Sequence, residues 1–388
     1  MKNNKPNIIF VSLDGVRADV AYSGKFNAIN ELMKDSVVFK KAISSAPLTP
    51  ISHASVFTGK YPFNHGIRHL FVEKILEDVP LLSEILKEES YKTYAVVSCP
   101  GLNGWYGFSR GYDSYDDEVP LARNGSTGLN TVDVKERGFC AKKASEVVDK
   151  AIKVLEAHDN QFPLFLFMHF FDAHWPYTPP MPYDERFKDN LYEGEVAYID
   201  SVFGGFIKSL KAKGLYEDSI LVVFSDHGED LNGLYKNDHG GAELGHPEEE
   251  GHGCLLYDAT QHVTLFIKLP EDHKCVKAIS EQVRLVDIVP TMLDYLGAGA
   301  EGLQFDGTSL RQHIEGKGKD LIAYSETHYP TETSQLLNKY PDIKNTKSIR
   351  IKNNNLEYKV IWHIDSDKVE IYNLSTDPEE KKNLINNT

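Results

Sequence analysis

Three peptides place acidic and imidazole side chains where a strand-length apolar run stops. Asn7 to Leu13 ends in Asp14-Gly15, Ser219 to Phe224 leads into Ser225-Asp226-His227-Gly228, and Pro163 to Phe171 gives way to Asp172-Ala173-His174. A buried parallel strand delivers its last side chains to the carboxyl edge of the sheet, where open α/β proteins bind their ligands. An Asp-His dipeptide at such an edge offers one oxygen and one imidazole nitrogen to a single divalent ion. Zinc favours mixed ligands of this kind at ~2.0 to 2.2 Å. Read alone, Asp14 also fits the N-cap of a following helix, and Asp-His pairs are common in ordinary turns.

These edges need a sheet to hold them. Thr93 to Ser98 and Val263 to Leu269 repeat the apolar form, giving five predicted parallel strands. Between them Phe26 to Met33, Leu81 to Leu86, Lys142 to Ala157 and Val196 to Leu210 carry apolar residues at three- and four-residue spacing, as helices covering a sheet do. The alternation implies right-handed crossovers. After Leu310 the texture changes to short alternating stretches, Ser348 to Ile351, Tyr358 to His363 and Val369 to Tyr372, broken by turns such as Asn353-Asn354-Asn355. These read as a small antiparallel meander. The predicted division is a catalytic α/β domain over 1–315 and a small α+β subdomain over 316–388.

The bulk properties narrow the function. The 388 residues carry a formal charge of -15, which repels polyanions and argues against nucleic-acid or anionic-membrane binding. Acidic runs such as Glu248-Glu249-Glu250 read as solvated surface. No apolar run reaches the ~18 residues of a membrane span, and no signal-peptide pattern precedes the first strand, so a cytoplasmic location is expected. Homo-oligomerisation stays open. Cys99, Cys140, Cys254 and Cys275 lack metal-motif spacing and read as free thiols, with Cys254 expected near the site.

Thr49-Pro50-Ile51-Ser52-His53-Ala54-Ser55-Val56-Phe57-Thr58-Gly59 resembles the sulfatase signature C/S-x-P-x-R followed by an apolar pair and Thr-Gly. Asp14-Gly15-Val16-Arg17-Ala18-Asp19 resembles D-x-x-R-x-D, Ser225 to Gly228 resembles SDHG, Gly251-His252-Gly253 resembles GHG-x-x-LYE, and Ile371 to Glu380 resembles the family's terminal LYDL-x-x-DP-x-E. The resemblance runs nearly end to end. It implies an alkaline phosphatase/sulfatase-like α/β/α sandwich with a mainly parallel central sheet and a small C-terminal antiparallel sheet. Thr49 stands where sulfatases keep the residue that becomes formylglycine, which threonine cannot form. Threonine there, with His53 for arginine and Ile51 for proline, resembles the branch containing nucleotide pyrophosphatase/phosphodiesterases and phosphonoacetate hydrolases.

The implied machinery is a threonine nucleophile on a metal ligated by Asp14, Thr49, Asp226 and His227. Asp172, His174 and His252 would complete a second ion, so that two zinc ions are expected, with manganese, magnesium or calcium as alternatives. A rival arrangement keeps one ion and uses His174 and His252 as hydrogen-bond donors to the substrate. His53 is expected as a group behind Thr49 or an anion contact, with helix packing as the other reading. His65, His69, His239 and His246 are weaker candidates, and the loop from Asn237 to Pro247 is a candidate lid. The expected substrate is a small phosphoester, as diester or monoester, or a phosphonate; Trp105, Tyr106, Trp175 and Tyr177 lean toward a diester. The alternatives are a sulfuric ester hydrolase working without formylglycine and a catalytically silent metal-binding scaffold.

Overall fold

The computed structural model describes residues 5–119, 141–240, 251–270, 277–298, 301–331, 345–364, 366 and 368–387. Its centre is β1 (Asn7–Leu13), whose alternating side chains serve both faces of the sheet. Ile8 and Phe10 enter one apolar cluster, while Ile9, Val11 and Leu13 enter the other. This period-two division is why the strand is apolar almost throughout. On one side β1 pairs in parallel with β5 (Leu164–Phe170), which continues to β3 (Lys92–Val96) and the short β4 (Ser114–Asp116). On the other it pairs in parallel with β6 (Ser219–Phe224).

Beyond β6 the sheet departs from the expected all-parallel order. The predicted strand from Val263 to Leu269 is divided into β7 (His262–Val263) and β8 (Leu265–Lys268), and β8 runs antiparallel to β6. A fully buried apolar run carries no mark of direction, so only the chain's path decides it. Three strands of this sheet are absent from the sequence reading: the short β4 at one edge, and β2 (Ser36–Ile43) and β9 (Ala278–Arg284) on the other side. Lys40 and Lys41 break the apolar pattern of β2, and Glu281 and Gln282 that of β9.

Helices cover both faces. α1 (Asn27–Lys34), α4 (Ala144–Ala157) and α5 (Leu191–Ala212) pack on one; α2 (Thr49–Thr58), α3 (Leu82–Glu88) and α6 (Ile288–Leu296) on the other. Among the described residues no helix is long and apolar enough to cross a membrane.

The second sheet is an antiparallel meander of β10 (Ala323–Thr327), β11 (Thr346–Asn353), β12 (Leu356–His363) and β13 (Lys368–Asn373). Asn354 and Asn355 both take positive φ, 49° and 65°, the geometry a two-residue hairpin turn demands and asparagine tolerates. The sheet is fastened to the main body by a small apolar cluster of Cys254, Leu255, Tyr257, Ile361, Tyr372 and Leu374. Beside it lies a buried ionic knot. Asp258 accepts from Arg350 and, at 2.9 Å, from Lys359, while Glu380 pairs with Lys359 at 2.9 Å and accepts the Asp258 backbone N–H at 2.6 Å. The two cations hold the Asp258 carboxyl far below the usual range despite its burial.

Asp258→Ala leaves two cations under-compensated at this junction. We expect a loss of ~3 to 5 kcal/mol, measured by urea unfolding against wild type.

Candidate active site

Thr49 begins α2, with Pro50 in the first turn, where the missing N–H costs nothing and the ring presets φ. The free backbone N–H groups and the helix dipole favour an anion at this end. One turn on, His53 donates from Nδ1 to the Thr49 carbonyl at 2.8 Å and accepts at Nε2 from the Ser12 hydroxyl at 2.8 Å. Ser52 donates to the Asp226 carbonyl at 2.7 Å. The first turn of α2 is therefore fastened to the ends of β1 and β6. Burial drives the His53 imidazole down to about 3, so it is neutral and both its nitrogens are occupied. It supports Thr49 from behind and offers no charge to an anion, unlike the arginine it replaces.

The Thr49 hydroxyl lies 3.0 Å from Asp14 Oδ2 and 3.4 Å from His227 Nε2. Asp14 is anchored through its own N–H to the Phe170 carbonyl at 2.9 Å. Asp226 Oδ1 accepts from the Gly15 N–H at 3.3 Å, and Asp226 Oδ2 lies 3.4 Å from His227 Nε2. His227 Nδ1 meets the Gly228 carbonyl at 2.9 Å. Donating there fixes the tautomer and turns the Nε2 lone pair toward the carboxylates, as a metal-ligating histidine requires. Gly228 is forced by packing, since a Cβ would come 2.1 Å from the Ala259 carbonyl oxygen.

His252 stacks on His227 with ring centroids 4.0 Å apart, and His174 meets His252 edge-on at 4.8 Å. The structure thus brings both to the site. It does not bring Asp172, whose Oδ1 turns to the amino end of α4, accepting from Ala144 N at 3.2 Å and facing Lys143 at 3.8 Å. The expected Asp172-His174-His252 ligand set is corrected on this point: β5 ends at Phe170 and the chain turns, with His174 N–H on the Phe171 carbonyl at 3.0 Å, so Asp172 and His174 lose the shared side that strand alternation would give them. His65 bonds Ser55, His69 pairs with Glu73, and His239 stacks on Tyr257, which accounts for all three structurally. His246 and most of the candidate lid fall outside the described residues. Trp105 packs against Lys74, and Tyr106 is buried beside Phe108. Tyr177 hydrogen-bonds Glu229.

Three participants went unrecognised in the sequence. Glu229 Oε1 stands 3.1 Å from His252 Nδ1, and its other oxygen 2.8 Å from where a Gly15 Cβ would be. That contact and a φ of +66° explain the glycine at this position. His169 Nε2 lies 3.0 Å from Asp14 Oδ2; it is placed there by the register that pairs it with Ser12 on the neighbouring strand. Cys99 groups with Asp14 and His169. Cys254, the thiol expected nearby, lies two residues beyond His252 and is buried in the apolar cluster under the second sheet.

Burial pushes the Asp14 carboxyl up to about 7, with His227 and the Thr49 hydroxyl opposing, and drives Glu229 well above its ordinary range. Asp14 Oδ1, Asp226 Oδ2 and Glu229 Oε2 are buried without hydrogen-bond partners. Orphaned carboxylate oxygens at this depth are costly unless a cation or proton compensates them. Asp14, Asp226 and His227 present ligand atoms within 4.8 Å of one another, so the donor set fits a divalent metal ion.

The sulfatase family model matches residues 6–298, and the model for the C-terminal part of N-sulphoglucosamine sulphohydrolase matches residues 253–388. The chain belongs to the sulfatase family. An arylsulfatase of Clostridium perfringens is 23% identical over 98% of this chain and 90% of its own length. Among solved structures, a phosphonate monoester hydrolase of Agrobacterium radiobacter superposes with a TM-score of 0.74 at 18% identity, covering 99% of this chain and 92% of its own. A structure solved with its substrate D-glucosamine-2-N,6-O-disulfate superposes at 0.72, with 18% identity, over 98% of this chain and 93% of its own. This sulfatase-family protein is accordingly a hydrolase acting on ester bonds, sulfuric or phosphoric.

Replacing Asp226 and His227 together by alanine should abolish retention of divalent metal through gel filtration while leaving the far-ultraviolet dichroism unchanged. Full metal content in that variant would refute the ligand assignment. A second expectation concerns Asp172 and Glu195, which burial raises to about 6 and about 7 beside Lys143. Unfolded, both titrate near ~4, so their contribution to stability is complete below that pH and is lost as pH rises through 6 to 7. Glu195→Gln should therefore gain stability over wild type at alkaline pH and flatten the decline, read by denaturant unfolding across the range.

Proposed function

We propose that this hydrolase cleaves phosphoesters or phosphonates through a covalent intermediate on Thr49. The observation that carries the reading is the Thr49 hydroxyl, 3.0 Å from Asp14 and 3.4 Å from His227 at the amino end of α2, in a family position where formylglycine cannot form. Asp14 Oδ2 holds the hydroxyl in place, and the hydroxyl proton passes to solvent as Thr49 attacks phosphorus. A divalent ion held by Asp14, Asp226, His227 and Thr49, for which the mixed donors favour zinc, would lower the hydroxyl pKa and offset charge developing on the phosphoryl oxygens. The open N–H groups of α2 add to that stabilisation. His252 Nδ1 faces Glu229, whose carboxyl is driven by burial well above its ordinary range; accepting a hydrogen bond from that protonated carboxyl leaves the His252 proton on Nε2, to be passed to the leaving-group oxygen, with His174 beside it. Water then cleaves the phosphothreonine, and two inversions give net retention at phosphorus. We assign this chemistry to 1–315, with 316–388 as the supporting subdomain.

A second reading, sulfate-ester hydrolysis, is favoured by the sulfatase match over 6–298 and by the arylsulfatase relative. Its obstacle is chemical. A formylglycine diol expels sulfate by hemiacetal breakdown, whereas a threonine sulfate must be attacked at sulfur.

A panel of aryl phosphate, phosphodiester, phosphonate and sulfate esters separates the readings. Phosphorus esters should be preferred, and Thr49→Ala should lower turnover by ~10³-fold or more, while Thr49→Ser retains activity. Peptide mass spectrometry of a quenched reaction should find the phosphoryl group on Thr49. Preference for sulfate esters with an unimpaired Thr49→Ala enzyme would overturn the mechanism.

A further inference from the structure

Asp14 has two distinct sides. Four adjacent parallel strands, in the order β3, β5, β1 and β6, carry Cys99, His169, Asp14 and Asp226-His227 at or just beyond their carboxyl ends. Asp14 Oδ1 lies 3.7 Å from His227 Nε2 and has no hydrogen-bond partner, while Oδ2 lies 3.0 Å from His169 Nε2 and 3.0 Å from the Thr49 hydroxyl. We propose that Asp14, Cys99 and His169 bind a second divalent cation, with Asp14 bridging it to the first. The inference rests on reading Asp14, Asp226 and His227 as ligands of the first ion.

The three donors, all buried, lie within 4.8 Å of one another. A carboxylate that gives one oxygen to each neighbour suits paired ions ~3.5 to 4 Å apart. His169 has the support a ligand needs, because Ser98 Oγ stands 2.8 Å from its Nδ1. An Nδ1–H donated to Ser98 leaves Nε2 with its lone pair. Gly101 lies beside both groups: a Cβ there would be 3.5 Å from Cys99 Sγ and 3.4 Å from Thr49 Cβ and Cγ2, which places the thiol next to the nucleophile. Aspartate, histidine and cysteine together form a donor set characteristic of zinc, with thiolate at ~2.3 Å. On binding, the thiol proton is released to solvent and the imidazole stays neutral, its proton moving from Nε2 to Nδ1.

Cobalt(II) is the probe, since it accepts the same ligands and reports a thiolate through a near-ultraviolet charge-transfer band. Chelator-stripped full-length protein titrated with cobalt should take up two equivalents and develop that band. Cys99→Ser should lose the band and one equivalent while keeping the other; His169→Gln should do the same, which separates ligand loss from a general effect of altering the cysteine. Circular dichroism of both variants checks the fold. Absence of the band in wild type, its persistence in Cys99→Ser, or uptake of a single equivalent would overturn the proposal. Hydrolytic activity takes no part in the readout, so the second ion can fail while the Thr49 mechanism stands, and the reverse.

Discussion

The burial of the Asp14 carboxylate at the middle of the sheet is the constraint on which the site depends. It stands at the carboxyl end of the central strand, fully enclosed, where an uncompensated charge is expensive. Two histidines from the flanking strands and the hydroxyl of Thr49 converge on it, and burial keeps His169 neutral by driving it down to about 3. Neutral imidazoles offset a carboxylate only in part. The remaining deficit is what makes a cation a natural occupant and gives the cluster its chemistry.

The nucleophile is positioned by bonds that do not themselves react. His53 and Ser52 tie the first turn of α2 to Ser12 and Asp226, so Thr49, the carboxylate it faces and the carboxylate behind it share one framework. Replacing arginine by histidine in the signature removes a fixed charge and keeps the spacing. The local consequence is a tighter, more apolar support, with His53 packed among Phe57, Phe167 and Phe224.

The second sheet reaches the site through two short segments, one of them Ser44-Ser45 ahead of α2, which accepts from Ser325 and Glu326 of β10. In the other, Thr327 of β10 donates to the Gly253 carbonyl, while Cys254 and Tyr257 are held in the apolar cluster beneath β12 and β13. His252 lies between these attachments and Gly251, whose positive φ of 93° and missing Cβ leave room for Glu229. The ionic knot at Asp258 fixes the far end of the same segment. Stability of the C-terminal sheet and the aim of His252 are therefore coupled.

The order of apolar runs and amphipathic helices determined the sandwich, because burial on both faces writes itself into every strand. The acidic strand ends at Asp14 and Asp226-His227 were legible for the same reason: polar residues stand out where an apolar run must stop. Strand direction in β8 and the existence of β2, β4, β9 and β10 were not, since direction leaves no residue pattern and Lys40, Lys41, Glu281 and Gln282 interrupt the apolar runs of β2 and β9. Which side chains meet was decided only by tertiary structure. Asp172 and His174 are two residues apart yet face different partners, whereas Cys99, His169 and Glu229 reach the site from three separate segments. Strand register and side-chain direction place such groups, and neither is recorded in the spacing of residues along the chain.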